Sequence, residues 1–246
     1  MGVRSGARVQ VVQRIMATPL LLVVHGRTGG LIPELYRQLA QELQQRRQAP
    51  VSLRALTASS PGPGAEIALS GPAMTLVPLL LLPGNHARVD VPALARQLGA
   101  TAGVGGDHGA GGWGARVRRL PFLGAWPAWQ SALAAELAAL VESAASAGRV
   151  PATPLLLHHP LEGPLAPRYL EHLQRRLGCR CLAAPYSSTD PEEPALAIDG
   201  PVLPLALAAN RLTERLEPRL GRAQAAPLLE RPRLRQLLLE KLAALP

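Results

Sequence analysis

Two histidines stand just past apolar runs that read as buried strands. His25 closes "PLLLVVHG" (19–26), and His86 sits four residues beyond "AMTLVPLLLL" (73–82), inside "LLLLPGNHARVDVPAL" (79–94). Neutral imidazoles that converge on one cleft can bind a divalent first-row metal, and either can take a proton near neutral pH. Each can equally satisfy the hydrogen bonds of its own loop, and spacing alone leaves both readings open. Gly26 and Gly84 would let backbone come close to a ligand without an intervening Cβ. Arg27, Asn85 and Arg88 flank the histidines as candidate polar and cationic contacts.

The elements that must hold these residues alternate between strand and helix. "TPLLLVVHG" (18–26), "VSLRALTA" (51–58), "AMTLVPLLLL" (73–82) and "RVRRLPFLG" (116–124) read as strands. Between and after them, 31–47, 90–99 and 127–145 read as helices. Leu31, Leu35, Leu39 and Leu43 form the apolar stripe of the first, and Asp90 is placed as N-cap of the second, with Pro92 in its first turn. Strands separated by helices predict parallel βαβ units with helices on both faces of a sheet. In such a sheet ligands bind beyond the carboxyl ends of the strands, where both histidines fall.

The second half repeats the order. "TPLLLHHPLEGPLAPRYLEHLQRRLG" (153–178) echoes "TPLLLVVHGRTGGLIPELYRQLAQEL" (18–43), "GPVLPLALAANRLTERL" (200–216) echoes the segment around His86, and 226–245 echoes 120–140. This predicts an α/β protein of two similar lobes, each a parallel β-sheet flanked by α-helices, that arose by internal duplication. A disordered basic extension (1–16), an N-terminal lobe with both histidines (17–148) and a degenerate C-terminal lobe (149–246) are the expected divisions. Aligned letter by letter, the second lobe puts Pro160 in the slot of His25 and Leu212 in that of His86. It reads as a wall of the cleft that lacks both site histidines.

Composition narrows the function. The 246 residues carry a formal net charge of +9, almost all from arginine, with Lys241 the only lysine. The arginines are dispersed along helices rather than clustered with aromatics, which argues against nucleic acid as a partner. A basic surface still favours a small polyanionic substrate. No apolar run approaches the roughly 20 residues of a membrane span. Cys179 and Cys181 cannot complete a tetrahedral metal site by themselves and suit core packing in a reducing compartment, so a cytoplasmic location is expected.

With these motifs in view, the chain resembles the sirohydrochlorin chelatases of the CbiX/SirB type, the class II tetrapyrrole chelatases. The resemblance rests on the strand ending in His25-Gly26 and on Pro83, Gly84, His86, Asp90, Val91 and Pro92, which match the family's Pro-Gly-x-His-x-x-x-Asp-Ile-Pro in order. "RRLPFLGAWPAWQSAL" resembles its closing strand and final helix. The likeness covers residues 18–145, and a second lobe suits the longer members. It implies an enzyme, a lyase that inserts Fe²⁺ or Co²⁺ into sirohydrochlorin or a related tetrapyrrole without ATP, for siroheme or cobalamin biosynthesis. It implies no permanently bound cofactor, since the metal is a substrate. His25 and His86 would hold the metal and accept pyrrole protons. Gly26, Arg27, Gly84, Asn85 and Arg88 would contact a substrate with eight carboxylates.

Two departures stand out: Arg27 replaces the family's common serine, and Thr57 stands where a glutamate is common. A degenerate chelatase that binds a tetrapyrrole or a metal without catalysis is the alternative reading. The Gly-rich "GVGGDHGAGGWG" (103–114) contributes His108 and Trp113 as candidate residues of a loop over the cleft. A monomer is expected, with a dimer as the alternative.

Overall fold

The computed structural model describes residues 17–57, 73–101, 116–150, 152–161, 163–184 and 200–246. The basic extension 1–16, and the loop with His108 and Trp113, lie outside the described residues. Strands β1 (Leu20–Val24), β2 (Val51–Ala55), β3 (Ala73–Pro78) and β4 (Arg116–Arg119) form one parallel sheet in the order β2-β1-β3-β4. Strands β5 (Leu155–His158), β6 (Arg180–Ala183) and β7 (Val202–Pro204) form a second parallel sheet, β6-β5-β7. In both, the first strand of the lobe is central and its carboxyl end opens at the switch in strand order, as the reading of two parallel α/β lobes requires.

Helices α1 (Glu34–Arg47), α2 (Val91–Thr101), α3 (Pro127–Ser146), α4 (Ala166–Leu177), α5 (Arg211–Leu220), the single turn α6 (Arg222–Ala225) and α7 (Pro232–Ala243) cover the sheets. α3 packs against α4 and α7, and α1 against α7, so helices of both lobes share the layer between the sheets. One core crosses this layer, joining Leu20, Leu22, Leu39 and Leu137 to Leu156, Leu203, Leu234 and Leu242. The opposite faces are closed separately. Leu21, Val23 and Leu76 pack under α2 in the first lobe, and Leu155, Leu157 and Val202 under α5 in the second. No helix among the described residues is long and apolar enough to cross a membrane.

Element ends shift by a few residues from the sequence reading, and three of the differences bear on the site and its surroundings. β3 ends at Pro78 rather than residue 82, and Leu79–Leu82 run on beyond the ladder. β4 ends at Arg119, and the remaining residues turn into a 3₁₀ segment, Leu123–Ala125. Asp90 is not an N-cap, because the chain is already helical at Asn85 and passes through one wide π turn, His86–Asp90, straight into α2. The Asp90 carboxylate is thereby released from capping and turns to His86.

Candidate active site

β1 ends at Val24, and the backbone then reverses over His25-Gly26-Arg27. Gly26 sits at φ +80°, and a Cβ there would lie 2.6 Å from Thr57 Oγ1 and 2.8 Å from the Ala55 Cβ. Both the left-handed conformation and the close approach therefore call for glycine. Thr57 fixes this turn. Its hydroxyl donates to the His25 carbonyl (3.1 Å) or the Arg27 carbonyl (2.8 Å), and its backbone N–H donates to the His25 carbonyl (3.2 Å). The result is that His25 projects from the sheet edge on a firmly held loop.

His86 reaches the same place from the π turn. The two imidazoles meet edge to face, with ring centroids 4.6 Å apart and planes at 85°. His25 Nδ1–H donates to the Gly26 carbonyl at 2.8 Å, and His86 Nδ1–H donates to Asp90 Oδ2 at 2.5 Å. Each acceptor can only receive a proton, so each ring presents Nε2 as its second nitrogen. A carboxylate behind one imidazole is the usual support for a metal-binding or proton-accepting histidine, since it fixes the tautomer and the ring's orientation. The pair lines a cavity of about 670 Å³ between the lobes, in the size range of small-molecule sites. Its walls come from the β1 loop, Leu79–Leu82, Gly84 and Asn85 on one side, and His159–Leu161 and Leu205–Arg211 on the other. The apolar run past β3 thus lines the cavity while Leu79 and Leu80 also pack into the cores on either side of the sheet.

No protein-family model and no curated protein matches the sequence. Solved structures do match. SirB from Bacillus subtilis, solved with Fe³⁺, aligns over 93% of this chain and 96% of its own, with a TM-score of 0.58 at 15% identity. CbiX, described as the terminal enzyme for siroheme biosynthesis in denitrifying bacteria, aligns over 93% and 100%, with a TM-score of 0.56 at 22% identity. DR2241 from Deinococcus radiodurans, a multi-domain protein with structural similarity to chelatases, aligns over 93% of this chain and 55% of its own, with a TM-score of 0.51 at 23% identity. The chain has the chelatase fold.

Within the chelatase fold, the residues singled out from sequence separate. His25, Gly26, Arg27, Gly84, Asn85 and His86 line the one cavity. Arg88 does not line it; its guanidinium lies beside Gly163, where a Cβ would stand 3.3 Å from Nη1. Arg27 is engaged across the cleft, bonding to the Ala209 carbonyl at 2.9 Å and forming an ion pair with Glu214 of the second lobe. Thr57, in place of the expected glutamate, brings a hydroxyl that is used on backbone. Among the described residues no group of three His, Cys, Asp or Glu side chains is arranged to hold a metal ion.

The second lobe contributes a histidine that letter-by-letter alignment misplaces. Leu79 N–H donates to the Val23 carbonyl and Leu205 N–H to the Leu157 carbonyl, both at 2.7 Å. Leu56 N–H donates to Val24 (2.9 Å) and Ala184 N–H to His158 (2.8 Å). These equivalent bonds match Val23 to Leu157 and Val24 to His158, so the residue in the position of His25 is His159 and not Pro160. The second lobe therefore keeps one strand-end histidine. Only the His86 slot, occupied by buried Leu212, has lost its imidazole. His159 lines the cavity, and its Nε2 accepts from Asn210 Nδ2 at 3.0 Å. That amide is held in register because Asn210 Oδ1 caps α5, accepting from the N–H groups of Leu212 and Thr213. Burial, then the neighbouring His25, His158 and Arg211, hold His159 below the ordinary histidine range.

Proposed function

We propose that this protein is a metal chelatase that places a divalent metal into a tetrapyrrole bound between its lobes. The observation that carries the reading is the pairing of His25 and His86 at 4.6 Å, with Nδ1 of each ring engaged, at the mouth of an interlobe cavity. The chelatase fold of SirB and CbiX supports the same reading. The order of strands and the matching hydrogen bonds also support descent of the two lobes from one duplicated unit.

Insertion exchanges one M²⁺ for two pyrrole N–H protons. A site for it must deliver a cation without holding it too firmly and must take the protons away. Two imidazoles leave most coordination positions to other ligands, so the metal can pass to the macrocycle. The backing groups orient the two rings. Asp90 holds the His86 ring and its tautomer in place, so that Nε2 faces the cavity as a proton-accepting atom. The Gly26 carbonyl does the same for His25, whose Nε2 is left to present the metal. Leu79–Leu82 and Leu205–Ala209 supply apolar surface for the ring, and Arg27 and Arg211 supply cations for peripheral carboxylates. Fe²⁺ or Co²⁺ as metal, sirohydrochlorin as substrate and siroheme or cobalamin as destination complete the proposal.

The absence of a carboxylate at residue 57 favours one competing reading, a chelatase-derived protein that binds without catalysing. A single assay separates them. Sirohydrochlorin and Co²⁺ or Fe²⁺ are mixed with the protein anaerobically, and the visible spectrum is followed. Insertion above the spontaneous rate, abolished in His25→Ala and His86→Ala, is the expected result. A spectral shift from binding with no acceleration would overturn the enzymatic reading.

A further inference from the structure

We propose that Glu214 is a built-in substitute for a substrate carboxylate, holding Arg27 across the cleft until a carboxylate of the ligand takes its place. The inference rests on the tetrapyrrole reading above and names the residue that tunes its affinity. Arg27 follows the Gly26 turn in the first lobe, and Glu214 lies in the first turn of α5 in the second; both line the cavity. They are joined as an ion pair, yet their side chains stay 43% and 55% exposed, so a ligand entering the cleft meets both.

The surroundings hold Arg27 independently of the acid, one bond on the guanidinium and two on the backbone. Arg27 Nη2 also donates to the Ala209 carbonyl at 2.9 Å. Arg27 N–H bonds the Leu31 carbonyl at 2.8 Å, and the Arg27 carbonyl accepts from Thr57. Glu214 is held through its backbone, whose N–H donates to the Asn210 carbonyl at 2.9 Å. Release of one carboxylate for another therefore leaves the Arg27 loop and α5 where they are. An exposed ion pair contributes little to folding, so its exchange is cheap. A neutral ligand gains nothing by entering, because it has no carboxylate to give Arg27 in return. The pair thus selects for acidic ligands and lowers the affinity of the correct one by the strength of the bond to be replaced.

Fluorescence titration with metal-free uroporphyrin, an octacarboxylate, tests this as a double-mutant cycle. Glu214→Gln should bind about two- to fivefold tighter than the wild type, the range an exposed ion pair supports. Arg27→Gln should bind more weakly, and Glu214→Gln should add no gain in the Arg27→Gln background. Unchanged or weaker binding by Glu214→Gln overturns the proposal, and so does an equal gain with and without Arg27, which would mark a general charge effect. Failure of the wild type to bind uroporphyrin overturns it as well. Metal insertion plays no part in the titration. An inactive protein with a coupled cycle refutes only the enzymatic reading, and an active one with an uncoupled cycle refutes only the exchange.

Discussion

His86 Nδ1 stands 2.5 Å from Asp90 Oδ2 across one π turn, and no other carboxylate bonds to the His25–His86 pair among the described residues. The sequence puts the two residues four apart, and the wide turn lets them close on each other without strain on the helix that follows. Asp90→Asn keeps the shape, but its amide can donate to Nδ1, favouring the wrong tautomer. Metal insertion should fall about 10- to 100-fold, as for other carboxylates behind a functional histidine. Stopped spectra with Co²⁺ would show it, and full activity in Asp90→Asn would remove His86 from the proton-accepting role.

Gly26 should be intolerant of any side chain. In Gly26→Ala the new Cβ meets Thr57 Oγ1 at 2.6 Å and the Ala55 Cβ at 2.8 Å, at a φ that L residues avoid. The strain is on the order of 1–3 kcal/mol, and relieving it moves His25 away from His86. Urea unfolding should show the loss of stability, and chelation should drop further than that loss explains. A Gly26→Ala protein with wild-type midpoint and activity would contradict this account of the turn.

The alternation of strand and helix and the two lobes were legible in the residues, whereas the convergence of His25 and His86 was singled out only with the family resemblance. The place of His159 was not legible. Both faces of each parallel sheet are buried, one against the shared layer and one against a lobe's own helices, so β1 and β5 read as continuous apolar runs. A slip of one residue would exchange the faces of a strand, but identical Leu-Leu-Leu letters on both faces conceal it. The structure resolves it, since Leu22 and Leu156 share the central core while Leu157 and Val23 face outward. The end of β3 was hidden for a related reason: Leu79–Leu82 stay apolar past the ladder, because they pack into the cores as well as line the cavity. Glu214 carries no sequence signal, because only the packing of the lobes brings it to Arg27.

Stability should fall on the acid side of neutrality. His158 is buried and lies below the ordinary histidine range because of that burial, partly offset by its bond to the His159 carbonyl; His159 is lowered as well. Asn210 donates to His159 Nε2, which requires that nitrogen to be unprotonated. The unfolded chain takes protons at these two residues below about pH 6.5, before the folded chain does. Stability is therefore fully present above that value and is lost as pH falls toward the depressed folded values, by at most about 1.4 kcal/mol per pH unit for each proton. Thermal midpoints measured from about pH 7.5 to about pH 5 should decline, and the decline should be shallower in His158→Gln. An equally steep profile in that variant would show that other groups control acid unfolding.

The lobes should unfold together, and Arg231 is the place to test it. This guanidinium, 7% exposed, leads into α7 and pairs with Glu136 of α3 at 3.0 Å, while its other nitrogens donate to the carbonyls of Ala223, Gln224 and Ala226. Glu136 is itself only 16% exposed, so removing one partner strands a charge in the shared layer. Glu136→Leu should cost about 3–5 kcal/mol, because the desolvation already suffered by Arg231 is no longer offset. Arg231→Met in the same chain should recover part of that loss by removing the stranded charge, although the three carbonyls left without a donor keep the recovery incomplete. The core from Leu20 to Leu242 is continuous across the lobes, so both variants should unfold in a single transition by fluorescence and circular dichroism alike. Two separated transitions in Glu136→Leu would mean that the lobes unfold independently despite their shared core.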